Sequence, residues 1–261
     1  MTHGSLSADG VCRSQALRRP PRLARAVRLG TTSGLLICAT AVLLLPIGVA
    51  TLFRARRVYT AVACLANRVI LRLYGVRVVV RGPAFPRNQT VYVSNHTSTL
   101  DLFILMSLGL PNTRFFLSGY YRRLVPLATI AWMMGTFFTV PQDRPRQRTR
   151  IFQRAERVLR RTGESVYLSP EGRRVTTGGI GHFNKGAFHL AANLKAPIVP
   201  MYFDIPPDVD PVLGYDARPG IVNVHVLPAI NTKDWQLAEL PEHVAHVRSV
   251  FVSANEVFRC A

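Results

Sequence analysis

From Leu29 to Phe53 the chain carries no charged residue, while Arg25 and Arg28 stand before this run and Arg54, Arg56 and Arg57 after it. A helix crossing the hydrocarbon core of a bilayer needs about 20 apolar residues, so the run is long enough for one. Pro46 and Gly48 would kink such a helix, and membrane helices tolerate both. Basic residues on both flanks give the charge rule no preferred orientation. That symmetry fits a segment that dips into one leaflet and returns. A cleaved signal peptide is the competing reading, but the run is long for a signal core and no small-x-small cleavage site follows.

The neighbouring segments extend this reading. Residues 1–28 hold Arg13, Arg18, Arg19, Arg22, Arg25 and Arg28 against one acid, Asp9, and Pro20-Pro21 interrupts any helix there. A basic flexible tail lying on anionic headgroups is expected, with an organelle transit peptide as its rival. Val58, Val62, Leu65, Val69 and Leu73 recur at helical spacing, with Arg68 and Arg72 off the stripe. This predicts an amphipathic helix up to Tyr74, lying at headgroup level or packed back on the first helix, and ended by Gly75. Residues 29–74 are thus expected to form a membrane-associated helical pair, and residues 75–261 a catalytic domain.

Within 75–261, short β-branched runs alternate with helical patterns. Val76–Arg81, Val91–Ser94, Arg114–Leu117, Val166–Leu168, Ile198–Phe203 and Val222–Leu227 read as strands. Residues following His96, Arg144–Arg161, Gly186–Leu194 and Leu240–Phe258 read as helices. The alternation predicts an α/β fold with a mixed sheet flanked by helices. Leu124–Val140 is a second uncharged run, either a half-exposed segment that lines an apolar channel or dips into lipid, or a core helix followed by a strand. Eight arginines lie between Arg144 and Arg161, opposite Ile151, Phe152, Ala155, Val158 and Leu159.

Charge narrows the partner. The chain has 33 Lys+Arg against 14 Asp+Glu, a net charge of +19, which points to an anionic partner: nucleic acid, anionic lipid or a phosphorylated substrate. No zinc-knuckle, RNA-recognition or helix-turn-helix signature accompanies it, and 48% of residues are hydrophobic, so no nucleic-acid partner is expected. Cys12, Cys38, Cys64 and Cys260 are scattered without metal-like spacing, which predicts a reduced compartment and no disulfide framework. His243 and His246 lack any further ligand pattern and read as a solvated pair; no metal is expected.

Chemistry concentrates at Ser94-Asn95-His96-Thr97-Ser98-Thr99-Leu100-Asp101, between one apolar run that reads as a strand and another that reads as a helix. His96 therefore stands at a strand-to-helix corner, where α/β proteins expose reactive groups. Imidazole changes protonation near neutral pH, and a carboxylate such as Asp101 can hold one ring nitrogen and leave the other free as a base. The bland alternative is a capping box, in which Asp101 only ties down the helix start.

The motif Asn95-His96-x-x-x-x-Asp101 resembles the NHxxxxD signature of the glycerolipid acyltransferases, the family containing 1-acylglycerol-3-phosphate acyltransferase. Ser169-Pro170-Glu171-Gly172-Arg173-Arg174 resembles its FPEGTR block. Phe183–Phe188 and Ala196–Met201 resemble its FKKGAF and VPIVPV segments, in the family's order. Ser169 stands where Phe is usual and Arg173 where Thr is usual, and the intervening block from Gly135 lacks its arginine at position 141, which is Pro.

The resemblance implies acyl transfer from a thioester, acyl-CoA or acyl carrier protein, to the hydroxyl of a phosphorylated lysolipid such as lysophosphatidic acid, without a cofactor. His96 would be the general base and Asp101 its orienting partner, with Asn95, Glu171, Gly172, Arg173 and Arg174 on the substrate side, where Glu171 would orient an arginine or the corner after the strand rather than react. Donors around Asn95–Ser98 would meet the oxyanion, and Arg174 the phosphate. The implied location is a membrane, with the catalytic domain at its cytoplasmic face. Glycerol-3-phosphate or another lysolipid is the alternative acceptor, and a non-catalytic membrane-binding homologue the second alternative.

Overall fold

The computed structural model describes residues 23–259. Cys12, Cys260 and residues 1–22 of the expected basic tail lie outside the described residues. The chain opens on helix α1 (Leu23–Ala50) and turns through positive-φ residues Leu52 and Phe53 into α2 (Arg56–Tyr74). Residues 23–28, assigned above to the tail, are the first turns of α1. Their start is docked by Arg25, whose Nε donates to the Ala217 carbonyl at 3.1 Å. Pro46 lies inside α1 without ending it.

α2 packs back antiparallel on α1. The Ser33 hydroxyl bonds the Tyr74 hydroxyl at 2.8 Å at one end, and Thr51 bonds Tyr59 at the other. The buried side of α2 is Tyr59, Ala63, Cys64, Ile70, Leu71 and Tyr74. This corrects the sequence reading: Val58, Leu65 and Leu73, on the stripe that periodicity picks out, are exposed. Apolar residues therefore occupy both faces of α2, one against α1 and the core, the other outward.

The remaining elements are β1 (Val76–Arg81), β2 (Val91–Ser94), α3 (Leu100–Ser107), β3 (Thr113–Ser118), α4 (Val125–Met133), β4 (Phe137–Thr139), α5 (Pro145–Thr162), β5 (Ser165–Tyr167), α6 (Gly186–Leu194), β6 (Ile198–Asp204), β7 (Gly220–Val226) and α7 (Leu240–Arg259). The seven strands form one sheet in the order β1-β7-β6-β2-β5-β3-β4. All neighbours are parallel except β6 and β7, so the sheet is mixed, as expected. The uncharged run 124–140 forms α4 followed by β4, with Ile130, Ala131 and Met133 buried and Val125 and Trp132 exposed, so the helix has both a core side and an outward apolar side.

Side-chain alternation along the strands splits the core in two. Tyr92, Phe115, Tyr167, Val199, Met201 and Phe203 face the layer containing α1, α2, α3 and α4. Val91, Val93, Phe116, Val166, Ile198 and Tyr202 face α5, α6 and α7. β2 is buried at all four residues and lies between β5 and β6, so its carboxyl end is held from both sides and from above and below. That end carries the His96 corner.

Candidate active site

At the end of β2 the chain turns before α3 begins, and each backbone N–H from His96 to Leu100 has a partner. The His96 N–H donates to Glu171 Oε2 at 2.6 Å. The Thr97 and Ser98 N–H groups donate to Asp101 Oδ2 at 2.8 and 2.9 Å. The Thr99 N–H donates to the Val212 carbonyl, and the Leu100 N–H to the Ser98 hydroxyl. Asp101 is thus both an N-terminal cap of α3 and the partner of the ring: His96 Nδ1 lies 2.6 Å from the same Oδ2. The two readings offered for Asp101, cap and dyad, are satisfied together. Its other oxygen, Oδ1, is buried without a partner.

The imidazole is 31% exposed while the carboxyl is 3% exposed. With Nδ1 taken by Asp101, Nε2 is the ring nitrogen left to meet a substrate proton. The saturated corner corrects one expectation. Backbone donors at 96–101 are already committed within the protein and do not form an oxyanion hole.

Asn95 is 2% exposed, and its carboxamide donates from Nδ2 to the Phe203 carbonyl at 3.0 Å and accepts from the Phe203 N–H at 2.8 Å. The side chain prolongs the β2–β6 pairing by one rung, and both of its polar atoms are used within the protein. Ser94, just before it, bonds the Tyr167 hydroxyl at 2.7 Å beneath the corner. Burial pushes the Tyr167 phenol well above its usual range.

Glu171 is also buried, and the group it holds is the histidine corner. Its Oε2 holds the His96 N–H and its Oε1 the Gly181 N–H at 2.8 Å, clamping the histidine corner to the 178–181 loop. Burial raises its pKa above the ordinary carboxylate value, a rise partly offset by the Gly181 and His96 N–H groups. Gly181 is there for space: a Cβ would stand 2.7 Å from Val175 Cγ2 and 3.3 Å from Glu171 Oε1. Gly172 takes the left-handed conformation, φ +66°, at the exposed tip of the turn. Asn184 supports the turn from below, donating from Nδ2 to the carbonyls of Pro170 and Glu171.

Arg173 and Arg174 are both exposed. Arg174 reaches across to the corner, where its Nη1 donates to Thr99 Oγ1 at 2.8 Å. Thr99 in turn donates to the Val212 carbonyl at 3.2 Å. Tyr121, in the 3-10 turn after β3, sits in the field of both Arg174 and Asp101, although burial dominates and raises its phenol pKa. Sequence reasoning missed Thr99, Tyr121 and Val212. Val212 lies 113 residues from Thr99, and no local pattern marks it. For Gly181 the glycine-rich run 178–181 was the available signal.

One residue beyond Asp101, Leu102 and Phe103 enter the lining of an apolar cavity between the first four helices and β3. It is apolar and partly open to solvent, and Ile37, Ala66, Met106, Leu117, Leu127 and Ala131 also line it. Among the described residues no cluster of three or more His, Cys, Asp or Glu is placed to hold a metal. His243 is not solvated as expected: it stacks on Trp235 with ring centres 4.2 Å apart and planes 5° apart.

A buried carboxylate holding a partly exposed imidazole, with an exposed arginine bonded to the same corner through Thr99, stands at the carboxyl end of a central strand of a mixed α/β sheet. Comparison with known proteins narrows its reading. A family model described as Acyltransferase matches residues 77–204. A 1-acyl-sn-glycerol-3-phosphate acyltransferase of Limnanthes alba is 27% identical over 187 residues, covering 70% of this chain and 65% of that protein. The mouse 1-acyl-sn-glycerol-3-phosphate acyltransferase alpha is 31% identical over 195 residues, covering 67% of this chain and 62% of that protein. The crystal structure of the 1-acyl-sn-glycerophosphate acyltransferase PlsC from Thermotoga maritima shares the fold, with TM-score 0.62 and 17% identity, covering 89% of this chain and 98% of that one. Over residues 77–204 the chain thus matches the Acyltransferase family model, and over about two thirds of its length it is similar to 1-acyl-sn-glycerol-3-phosphate acyltransferases. It spans somewhat less than two thirds of the length of the plant and mouse relatives.

Proposed function

We propose that this protein transfers an acyl group from a thioester donor to the free hydroxyl of lysophosphatidic acid, giving phosphatidic acid. The observation that carries the reading is the 2.6 Å contact of His96 Nδ1 with Asp101, which leaves Nε2 free on a half-exposed ring close to Arg174. In this scheme the acceptor hydroxyl gives its proton to Nε2 as its oxygen attacks the thioester carbonyl. The tetrahedral intermediate collapses, the C–S bond breaks, and the departing thiolate takes the proton from the imidazolium. Ester and thiol are the products, and His96 returns to its neutral form. Asp101 stabilises the imidazolium and fixes its tautomer; such a base contributes about 10²–10⁴-fold.

Because the corner N–H groups are occupied, the negative charge of the intermediate and of the acceptor phosphate falls to the exposed guanidinium groups of Arg174 and Arg173. A planar guanidinium suits bidentate phosphate contact. The apolar cavity beginning at Leu102 and Phe103 takes the acyl chain.

The protein works at a membrane surface in this reading. α1 is long and apolar enough to cross a bilayer by length and composition. Leu35, Val42 and Val49, at intervals of seven, are 64–71% exposed along it, and Leu65, Val125 and Trp132 are exposed in the same layer. We assign that surface to lipid and the catalytic domain to the cytoplasmic face.

An acceptor panel with labelled acyl-CoA and acyl carrier protein thioesters tests the assignment: lysophosphatidic acid, glycerol-3-phosphate, other lysolipids and unphosphorylated monoacylglycerol. Arg174→Ala is expected to raise KM for lysophosphatidic acid about tenfold or more, the loss of roughly one charge-assisted contact, and to leave turnover of an unphosphorylated acceptor unchanged. Turnover of none of these acceptors would refute the reading.

A further inference from the structure

α5 carries a feature that the acyl-transfer site does not use. Arg146, Arg150, Arg154, Arg157 and Arg161 follow one another at intervals of 4, 4, 3 and 4 residues, and all five are exposed. At 100° per residue they fall within about 80° of arc and extend about 22 Å along the helix. None has an acidic partner: the one acid of α5, Glu156, binds Arg160 at 2.9 Å and Asn193 at 2.8 Å. Arginines spaced three and four apart repel one another, so the ladder weakens the isolated helix. The opposite side of α5 is fully used, with Ala155 and Leu159 buried and Ile151, Phe152 and Val158 packed on the core.

The chemistry of this face selects its partner. Between the arginines stand Thr149 and Gln153, with no aromatic or large apolar side chain to take a nucleotide base or to enter lipid. α5 also belongs to the layer of α6 and α7, across the sheet from the exposed apolar surface of α1 and α2. A partner seated on the ladder therefore approaches from the side away from that surface. The start of α5 adjoins the active site. Gln142, just before the helix, donates from Nε2 to Asn184 Oδ1 at 3.1 Å, and Asn184 holds the turn of Glu171 and the arginine pair. The ladder thus runs from the rim of the site outward.

We propose that the arginine ladder of α5 docks an acidic acyl carrier protein, placing its thioester arm at the rim beside Gln142 and Gly172. This rests on the acyl-transfer reading for its purpose and names the donor that the site uses.

The test uses the full chain in detergent, with R150E/R154E/R157E and R150K/R154K/R157K compared to wild type. Binding of fluorescently labelled, unacylated holo carrier protein is read by anisotropy, and kinetics are measured with acyl carrier protein and acyl-CoA donors on one acceptor. The charge-reversed variant should bind carrier at least tenfold more weakly and raise KM for the acyl carrier protein donor by a similar factor. Its KM and kcat with acyl-CoA should stay within twofold of wild type. The lysine variant should retain carrier binding, and added salt should weaken carrier binding of wild type. Wild type failing to bind carrier, unchanged affinity in the reversed variant, or equal loss with both donors would overturn the proposal. So would selective loss of binding to phosphatidylglycerol vesicles or to duplex DNA with carrier binding intact. Carrier binding without turnover from either donor would instead refute the acyl-transfer reading and leave the docking surface standing.

Discussion

Asn95 and Phe203 are joined by two hydrogen bonds, the carboxamide of one closing on the backbone N–H and C=O of the other. The motif's asparagine is thereby a piece of sheet, extending β2 toward β6 past the point where the backbone turns away. Asn95→Ala leaves two buried backbone groups of Phe203 unsatisfied, and each orphan costs about 1–3 kcal/mol. We expect a loss of about 2–5 kcal/mol in stability, measured by denaturation in detergent, with KM for acceptor in the residual folded enzyme near wild type.

His96→Ala and Asp101→Asn are expected to fall together. The first removes the base. The second replaces a charged carboxylate, whose single oxygen Oδ2 accepts from Thr97 N–H, Ser98 N–H and the ring, by a neutral amide that no longer stabilises the imidazolium. Both should lower kcat about 10²–10⁴-fold with little change in KM, measured in the acyl-transfer assay. An Asp101→Asn enzyme with near-normal kcat would reduce Asp101 to its capping role.

Glu171 gives a pH dependence of defined sign. Its folded-state pKa is raised, so between its ordinary and raised values the native protein binds more protons than the unfolded chain. Stability relative to a non-titrating variant therefore falls as pH rises from the ordinary carboxylate value through the raised one. Melting curves of wild type and Glu171→Gln across mildly acidic to neutral pH should show this: the wild-type advantage is largest at the acid end and shrinks toward neutrality. The glutamine variant turns an amide N–H₂ toward either the His96 or the Gly181 N–H, and its activity should drop at every pH.

The cavity between α1, α2, α3 and α4 sets a length test. Ala66 lines it from α2, and Ala66→Phe adds a ring to that wall. The preferred acyl donor should become shorter, read as kcat/KM across a series of acyl-CoA lengths, with the acceptor preference unmoved. An unchanged chain-length profile would remove the cavity from the donor site.

Strand and helix positions were legible because each domain element has its own period and terminator. The spacing of His96 and Asp101 allowed a helix cap as well as a pairing, and the motif resemblance pointed to the pairing and to Arg174. What escaped was which side of an element faces what. On α2, hydropathy picked the stripe Val58, Leu65 and Leu73, yet the core takes Tyr59, Ala63, Ile70 and Tyr74. A helix apolar on two faces gives one periodic signal, and nothing local separates core from exposed surface. Asn95 and Glu171 look like substrate ligands in a linear motif because the partners that consume their polar atoms, Phe203 and Gly181, are supplied by other parts of the chain. The antiparallel turn of β7 against β6 is likewise a pairing choice that strand composition does not encode.

β2 has its neighbours β5 and β6 at residues 165–167 and 198–204, both made long after it. During synthesis α1 and α2 are complete within the first 74 residues, whereas the histidine corner has no frame until β6 has left the ribosome. The chain therefore completes its long apolar helix well before the histidine corner is framed. For much of translation the unfinished sheet is an intermediate with open strand edges.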